Sequence, residues 1–255
     1  MQTGAVVGNI DVAQLVLYAF WIFFTGLIFY LRREDRREGY PLLSASDGTP
    51  QSTDPIFFPD PKPFHLASGK TVYAPSGVID QRAIAALPTA GWSGAPLEPT
   101  GNPMIDAVGP AAYAERAEEA DVTAHGIPRI VPLRSDHAFG IEGRDPDPRE
   151  MPVYGADNES GGTVRDVWID RSDMLIRYLE VEVKEGKRVL LPINFCKIDK
   201  WVRRVNVNAV LAAHFVHVPA IAKPDTVTLR EEDRICAYYG GGQLYATKDR
   251  QEPVL

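Results

Sequence analysis

Cysteine is nearly missing: Cys196 and Cys236 are the whole supply in 255 residues, and they stand far apart with no CxxC spacing. That excludes a disulfide framework and a cysteine zinc site, and it suits a reducing compartment with two ordinary buried thiols. Basic charge is also short. Lys and Arg number 27 against 34 Asp and Glu, a formal charge of -7. The charges before residue 39 cancel, with Arg32, Arg33, Arg36 and Arg37 against Asp11, Glu34, Asp35 and Glu38, so the acid excess lies wholly beyond them. Phosphate binding needs a net basic surface, which excludes nucleic acid as the main partner. No Lys or Arg precedes Arg32, whereas a cleaved secretory leader needs a basic stretch ahead of its apolar run. GxGxxG, the P-loop, HExxH and GxSxG are missing as well, and with them the nucleotide, zinc-protease and serine-hydrolase chemistries that those spacings serve. No nucleophile has a base and an orienting group at motif spacing, so no active site of its own is expected.

What is present begins with residues 12–31, VAQLVLYAFWIFFTGLIFYL, twenty residues without a charge. At about 1.5 Å per residue they match a hydrocarbon core of roughly 30 Å. Twelve are Leu, Ile, Phe or Val, worth about -5 kcal/mol on insertion. The four arginines that follow place the C-terminal side in the cytoplasm and residues 1–11 in the periplasm, by the positive-inside rule. Gln14 and Thr25 are the only polar positions on an otherwise bulky helix. Such a helix packs against protein or pigment and cannot line an ion path.

Residues 32–135 are expected to be extended and irregular. Within them, 43–65 (LSASDGTPQSTDPIFFPDPKPFH) read as a strap whose Ile56, Phe57, Phe58 and Phe64 need cover, either from another protein or from the chain's own domain. Turn signals recur from 66 to 135, and 111–121 (AAYAERAEEAD) form either a short helix or an irregular acidic loop.

From about 145 the pattern changes to short alternating strands: 164–170, 174–183, 188–192, 196–198 and 202–207. A short helix is expected near 209–216, and further strand-like pieces at 226–229 and in ICAYYGGGQLY. The predicted architecture is one N-terminal transmembrane helix plus a mainly-β domain at 145–247, a small antiparallel barrel, with 248–255 as a tail. In residues 174–183, Leu179, Val181 and Val183 face one side and Glu180 and Glu182 the other. Gly240, Gly241 and Gly242 read as a turn or a tight contact. His214 and His217 are three apart but lack nearby acids, so a structural role is expected over a metal pair. Among the carboxylates, Asp170, Asp173, Glu231, Glu232 and Asp233 read first as solvated charges, unless burial raises them enough to pass protons.

Taken together, NIDVAQLVLYAFWIFFTGLIFYL, REGYPL, TGNPM with VGPAAY, DVWID, YLEVEV, RVLLP and EEDRICAYYGGGQLY resemble the H subunit of the purple-bacterial photosynthetic reaction centre, over about residues 8–247 and in the same order. The resemblance implies a PRC-barrel and a non-pigmented, non-enzymatic subunit of the intracytoplasmic (chromatophore) membrane. It implies the L and M subunits as partners, with a cytochrome subunit, a light-harvesting antenna ring and membrane lipid as further neighbours. This chain itself is expected to hold no cofactor and no metal. Its partners carry bacteriochlorophyll, bacteriopheophytin, ubiquinone-type or menaquinone-type quinones, non-haem iron and carotenoid.

The family's H subunit shields the quinones and supplies acids on the proton path to the secondary quinone. By position, Asp170 and Asp173 fall among those acids, Asp173 standing where Glu is usual, so that a bridging water is needed. Arg177 and Glu232 match a pair near the same path, with a plain salt bridge as the alternative. The family's proton-uptake trio of one acid and two histidines survives only as His125, with Thr123 and Ile127 at the other two places. That implies weak metal inhibition, or uptake through Glu118, Glu119 and Asp121. A membrane-tethered PRC-barrel adaptor is the competing reading, and the acidic charge and aromatic helix weigh against it.

Overall fold

The computed structural model describes residues 5–7, 10–44, 49, 56–66, 69–78 and 80–251. The chain divides into two units, Met1–Ile79 and Asp80–Leu255.

In the first unit, β1 (Ala5–Val7) pairs with β2 (Ile10–Asp11), and Asp11 caps α1 (Val12–Glu34) by accepting from the Gln14 N–H at 2.7 Å. The helix runs past residue 31 because Arg32 and Arg33 sit well at the negative end of the helix dipole. None of its side chains is buried, Ile22 being 75% exposed, and the helix is long and apolar enough to cross a membrane. An apolar surface on all sides has no stable solvent but lipid or another chain.

The strap contains regular structure that its composition hid. Strand β3 (Lys62–His65) pairs antiparallel with β4 (Thr71–Ala74), and Arg37 donates to the Asp60 and Ala74 carbonyls at 2.8 and 2.9 Å. Phe57 lies 5.0 Å from Phe29, so cover from the chain's own unit holds there, while Phe64 is exposed. Residues 45–48 and 50–55 of the strap lie outside the described residues.

The second unit opens with a hairpin of β5 (Ala86–Pro88) and β6 (Leu97–Pro99), followed by turns and one 3-10 turn at Gly109–Ala111. Residues 112–121 take the irregular alternative. They are held as a draped strand of chain, Ala114 N–H donating to Asp233 and the Glu119 carbonyl accepting from Leu229 N–H.

Seven strands form the main sheet: β7 (Ile130–Pro132), β8 (Pro152–Tyr154), β9 (Ser160–Asp170), β10 (Leu175–Glu182), β11 (Arg188–Pro192), β12 (Cys196–Asp199) and β13 (Arg204–Val207). The order is β11-β10-β9-β8-β13-β12, with β7 also on β9. Strand β9 is the axis of the sheet. One of its edges carries β10; the other is shared by β8 at its start and β7 at its end.

Two expectations need correction. The β13–β8 pairing is parallel, and the strands are not closed into a barrel among the described residues, since β11 and β12 remain the ends of the path. Pro192 and a 3-10 turn at Ile193–Phe195 redirect the chain between them, and proline donates no ladder hydrogen bond.

The larger correction is at the end of the chain. Residues expected as strands form α2 (Leu229–Tyr245), which packs against β11 and the Gly109–Ala111 turn. Thr228 and Glu231 make a capping box, and Ile235, Tyr238, Tyr239 and Gly242 recur at helical spacing on the buried side. The glycine run is a tight contact within this helix: an added Cβ at Gly241 would stand 2.5 Å from Ala111 Cβ, and at Gly242 2.6 Å from the Ala209 carbonyl. The short helix expected near 209–216 is a 3-10 turn, Ala212–His217. The core between helix and sheet holds Trp168, Tyr239, Phe215, Met151 and Leu179, all fully buried.

Candidate functional site

Two of the expected site residues, Asp170 and Asp173, meet at an arginine that sequence reasoning passed over. A loop closed by the Val122–Pro128 bridge carries His125 at its tip and Arg129 at its base. From there Arg129 Nε reaches both oxygens of Asp170 at 2.9 Å, one terminal nitrogen reaches Asp173 at 2.5 Å, and the other reaches Asp121 at 3.3 Å. Three carboxylates from two segments thus share one guanidinium.

Asp170 is completely buried at the end of β9, and Asp173 is half exposed in the turn that follows. Burial pushes the Asp170 carboxyl up, but Arg129 and the backbone N–H groups of Asp173 and Ser172 outweigh it and hold the group below the usual carboxylate range. Asp170 therefore stays ionised at neutral pH and acts as a fixed negative charge.

Glu232 behaves in the opposite way. It sits in the first turn of α2, where Tyr178 Oη donates to it at 2.8 Å from the middle of β10. Burial raises its carboxyl above the ordinary range; the Tyr178 hydrogen bond and the charges of Arg177 and Arg116 offset only part of this, and Asp121 adds to the rise. Arg177 is exposed and acts on Glu232 through space, with no ion pair between them among the described residues. Asp121 links the two groups, bonded to Arg129 on one side and felt by Glu232 on the other. A carboxyl raised toward neutrality next to ionised partners is the arrangement that can take up and release a proton.

His125 is exposed, its backbone N–H bonded to Thr123 Oγ1 at 3.2 Å, and it borders a recess of about 370 Å³ that also includes Asp136 and Arg171. Among the described residues no three His, Cys, Asp or Glu side chains group as a metal site. His214 accepts from Leu211 N–H at 3.3 Å and caps its own turn, and burial lowers its imidazole.

A second arginine centre was also missed. Arg134 donates to Asp166 at 2.9 Å, Glu180 at 2.7 Å and Asp225 at 2.9 Å. Glu180, on the face opposite Leu179 and Val181, is 3% exposed and also accepts from Trp168 Nε1 at 2.9 Å and Arg188 at 2.7 Å. Burial raises Glu180, yet these donors bring it below its ordinary value, so it too remains charged. The available signal was the five-residue spacing of two arginines on either side of an apolar strand, IVP.

Two family models match the chain in succession. The N-terminal region of the photosynthetic reaction centre H-chain matches residues 4–135, just over half of the chain, and the PRC-barrel domain matches residues 141–211, which hold β8 to β13. With one helix among the described residues long and apolar enough to cross a membrane, and the mainly-β unit that follows, this chain belongs to the family of photosynthetic reaction centre H-chains.

Proposed function

We propose that this chain is the non-pigmented H subunit that caps the cytoplasmic side of the L and M subunits, shields their quinones from water, and helps conduct protons to the secondary quinone during light-driven cyclic electron transfer. On this reading α1 anchors it in the intracytoplasmic membrane with the N-terminus in the periplasm, and the pigments, quinones and iron reside in the partners. The observation that supports it is the pairing of opposite carboxyl behaviours: Glu232, raised by burial and by Asp121, and Asp170, held down where it shares Arg129 with Asp173 and that same Asp121. Fixed anions lower the cost of bringing a proton in, and a carboxyl raised above its ordinary range can take it up and hand it on. His125, exposed at the loop tip above Arg129, is the proposed uptake point, and Arg177 tunes Glu232 through space.

The test is to solubilise source membranes gently, capture this chain, and record near-infrared absorption with flash-induced bleaching. Co-purified pigments that bleach reversibly are expected. Asp173→Asn and Glu232→Gln should then slow proton uptake after the second flash while leaving the first electron transfer unchanged. A colourless preparation from pigmented membranes would remove this reading in favour of a tethered adaptor.

A further inference from the structure

The β12–β13 hairpin ends in a tip whose chemistry nothing in the proton path uses. Trp201 is 86% exposed and Val202 64%, side by side at the turn. Lys197, Lys200 and Arg203 are close to them in sequence, Lys200 Nζ lying 5.0 Å from the Trp201 ring, in a chain whose formal charge is -7, while the Arg204 guanidinium is engaged with the Tyr154 ring and Asn158 Oδ1. The tip is built and not frayed: Asp199 accepts from the Trp201 and Val202 N–H groups at 2.9 and 3.2 Å, and the strands pair from Cys196↔Val207 to Asp199↔Arg204. Asp199 keeps its charge while accepting those bonds, with Lys197 and Arg204 acting on it, and Asp147, near Arg203, is paired with Arg149 at 3.0 Å, so the cations of the tip outnumber its one acid. The tip is therefore a cationic island around an indole.

Solvation accounts for the cations but not for an indole and a valine projected into water together. Tryptophan flanked by Lys and Arg is the composition that partitions into the headgroup region of a bilayer, the ring among the glycerol groups and the cations on phosphate. The same chain carries α1, none of whose side chains is buried among the described residues and whose apolar surface suits a bilayer. We infer that the β12–β13 tip is a second, peripheral membrane contact, seating Trp201 and Val202 among the anionic lipid headgroups of the bilayer that holds α1, with Lys200 and Arg203 on the phosphates. The inference rests on the helix being in a membrane and is independent of the proton-path reading.

The experiment uses the full chain in lipid nanodiscs, with Trp21→Phe and Trp92→Phe removing the other exposed indoles. Trp201 emission is taken as the difference from a further Trp201→Phe variant. In discs of phosphatidylcholine with phosphatidylglycerol, Trp201 should emit to the blue and be quenched by brominated acyl chains. Each cation near an anionic surface shifts the seated-to-free ratio about fivefold, so Lys200→Glu with Arg203→Glu should abolish both effects, as should discs of phosphatidylcholine alone. The buried Trp168 keeps its own emission in every variant and reports that the fold is intact. Red, unquenched Trp201 emission in the anionic discs would overturn the inference. Trp201 shielded only in the intact multi-subunit complex, and without bromine quenching, would overturn it in favour of a protein contact.

Discussion

Arg129 Nε stands 2.9 Å from both carboxylate oxygens of Asp170, joining the loop before β7 to the end of β9 across 41 positions of sequence. That bond makes the loop and the sheet one object. Asp121 and Asp173 share the same guanidinium, and Asp170 is an anchor whose charge state does not change near neutral pH.

Asp170→Asn should destabilise the second unit by about 3 kcal/mol, since it leaves a half-buried guanidinium without its main counter-charge. The Asp170 carboxyl is depressed in the fold, so its contribution is complete above the unfolded value of about 3.9 and is lost as pH falls through the folded value. Thermal melts followed by Trp168 fluorescence should show a constant gap between wild type and variant at neutral and mildly acidic pH, closing in strong acid. A gap that persists in strong acid would point away from the ion pair.

Glu232→Gln should act in the opposite direction. The raised carboxyl binds a proton more readily in the fold than in the unfolded chain, so wild-type stability declines as pH rises from the unfolded value of about 4.3 through the folded one. Glutamine keeps an acceptor for Tyr178 and carries no charge. The variant is expected to be more stable than wild type at neutral pH, with the difference vanishing in acid, while its proton uptake is slower. Equal stability at every pH would argue against a raised carboxyl.

Gly242→Ala and Gly240→Ala separate helix propensity from packing. Either change favours the helix by about 1 kcal/mol. At Gly242 the new Cβ meets the Ala209 carbonyl at 2.6 Å, whereas at Gly240 it meets the Pro110 carbonyl at 3.2 Å. Backbone cannot step aside as a side chain can, so Gly242→Ala should lose about 1–2 kcal/mol net by overpacking. Gly240→Ala should stay within about 0.5 kcal/mol of wild type. Denaturant midpoints of the two variants provide the comparison.

Added zinc should leave quinone protonation nearly unchanged. Thr123 and Ile127 offer no second or third ligand beside the exposed His125, and one imidazole is too few for tight binding. Flash-induced proton uptake measured across a zinc titration decides this. Slowing at submicromolar metal would mean that ligands come from another chain.

The sequence by itself determined the features whose causes are local. An uncharged run of twenty residues between Asp11 and Arg32 is long and apolar enough to cross a membrane wherever it is placed. Period-two alternation through 164–192 specifies the β9–β10–β11 meander, because each side chain's face follows from its neighbour's. Asp170, Asp173 and Glu232 were legible as candidates only through the resemblance, and the residue that gathers two of them, Arg129, was not. Tertiary structure decided which carboxyls are held below their ordinary range, Asp170 and Glu180, and which is raised above it, Glu232. Glu180 alternates with Leu179 and Val181 as a solvated residue would, and it is buried because Arg134 arrives from 46 positions away. It also decided that ICAYYGGGQLY is a helix, since three glycines weaken that choice locally and become favourable only where Ala111 and the Ala209 carbonyl press against them. Burial of charge and close approach of backbone depend on partners distant in sequence, and periodicity along the chain contains no record of them.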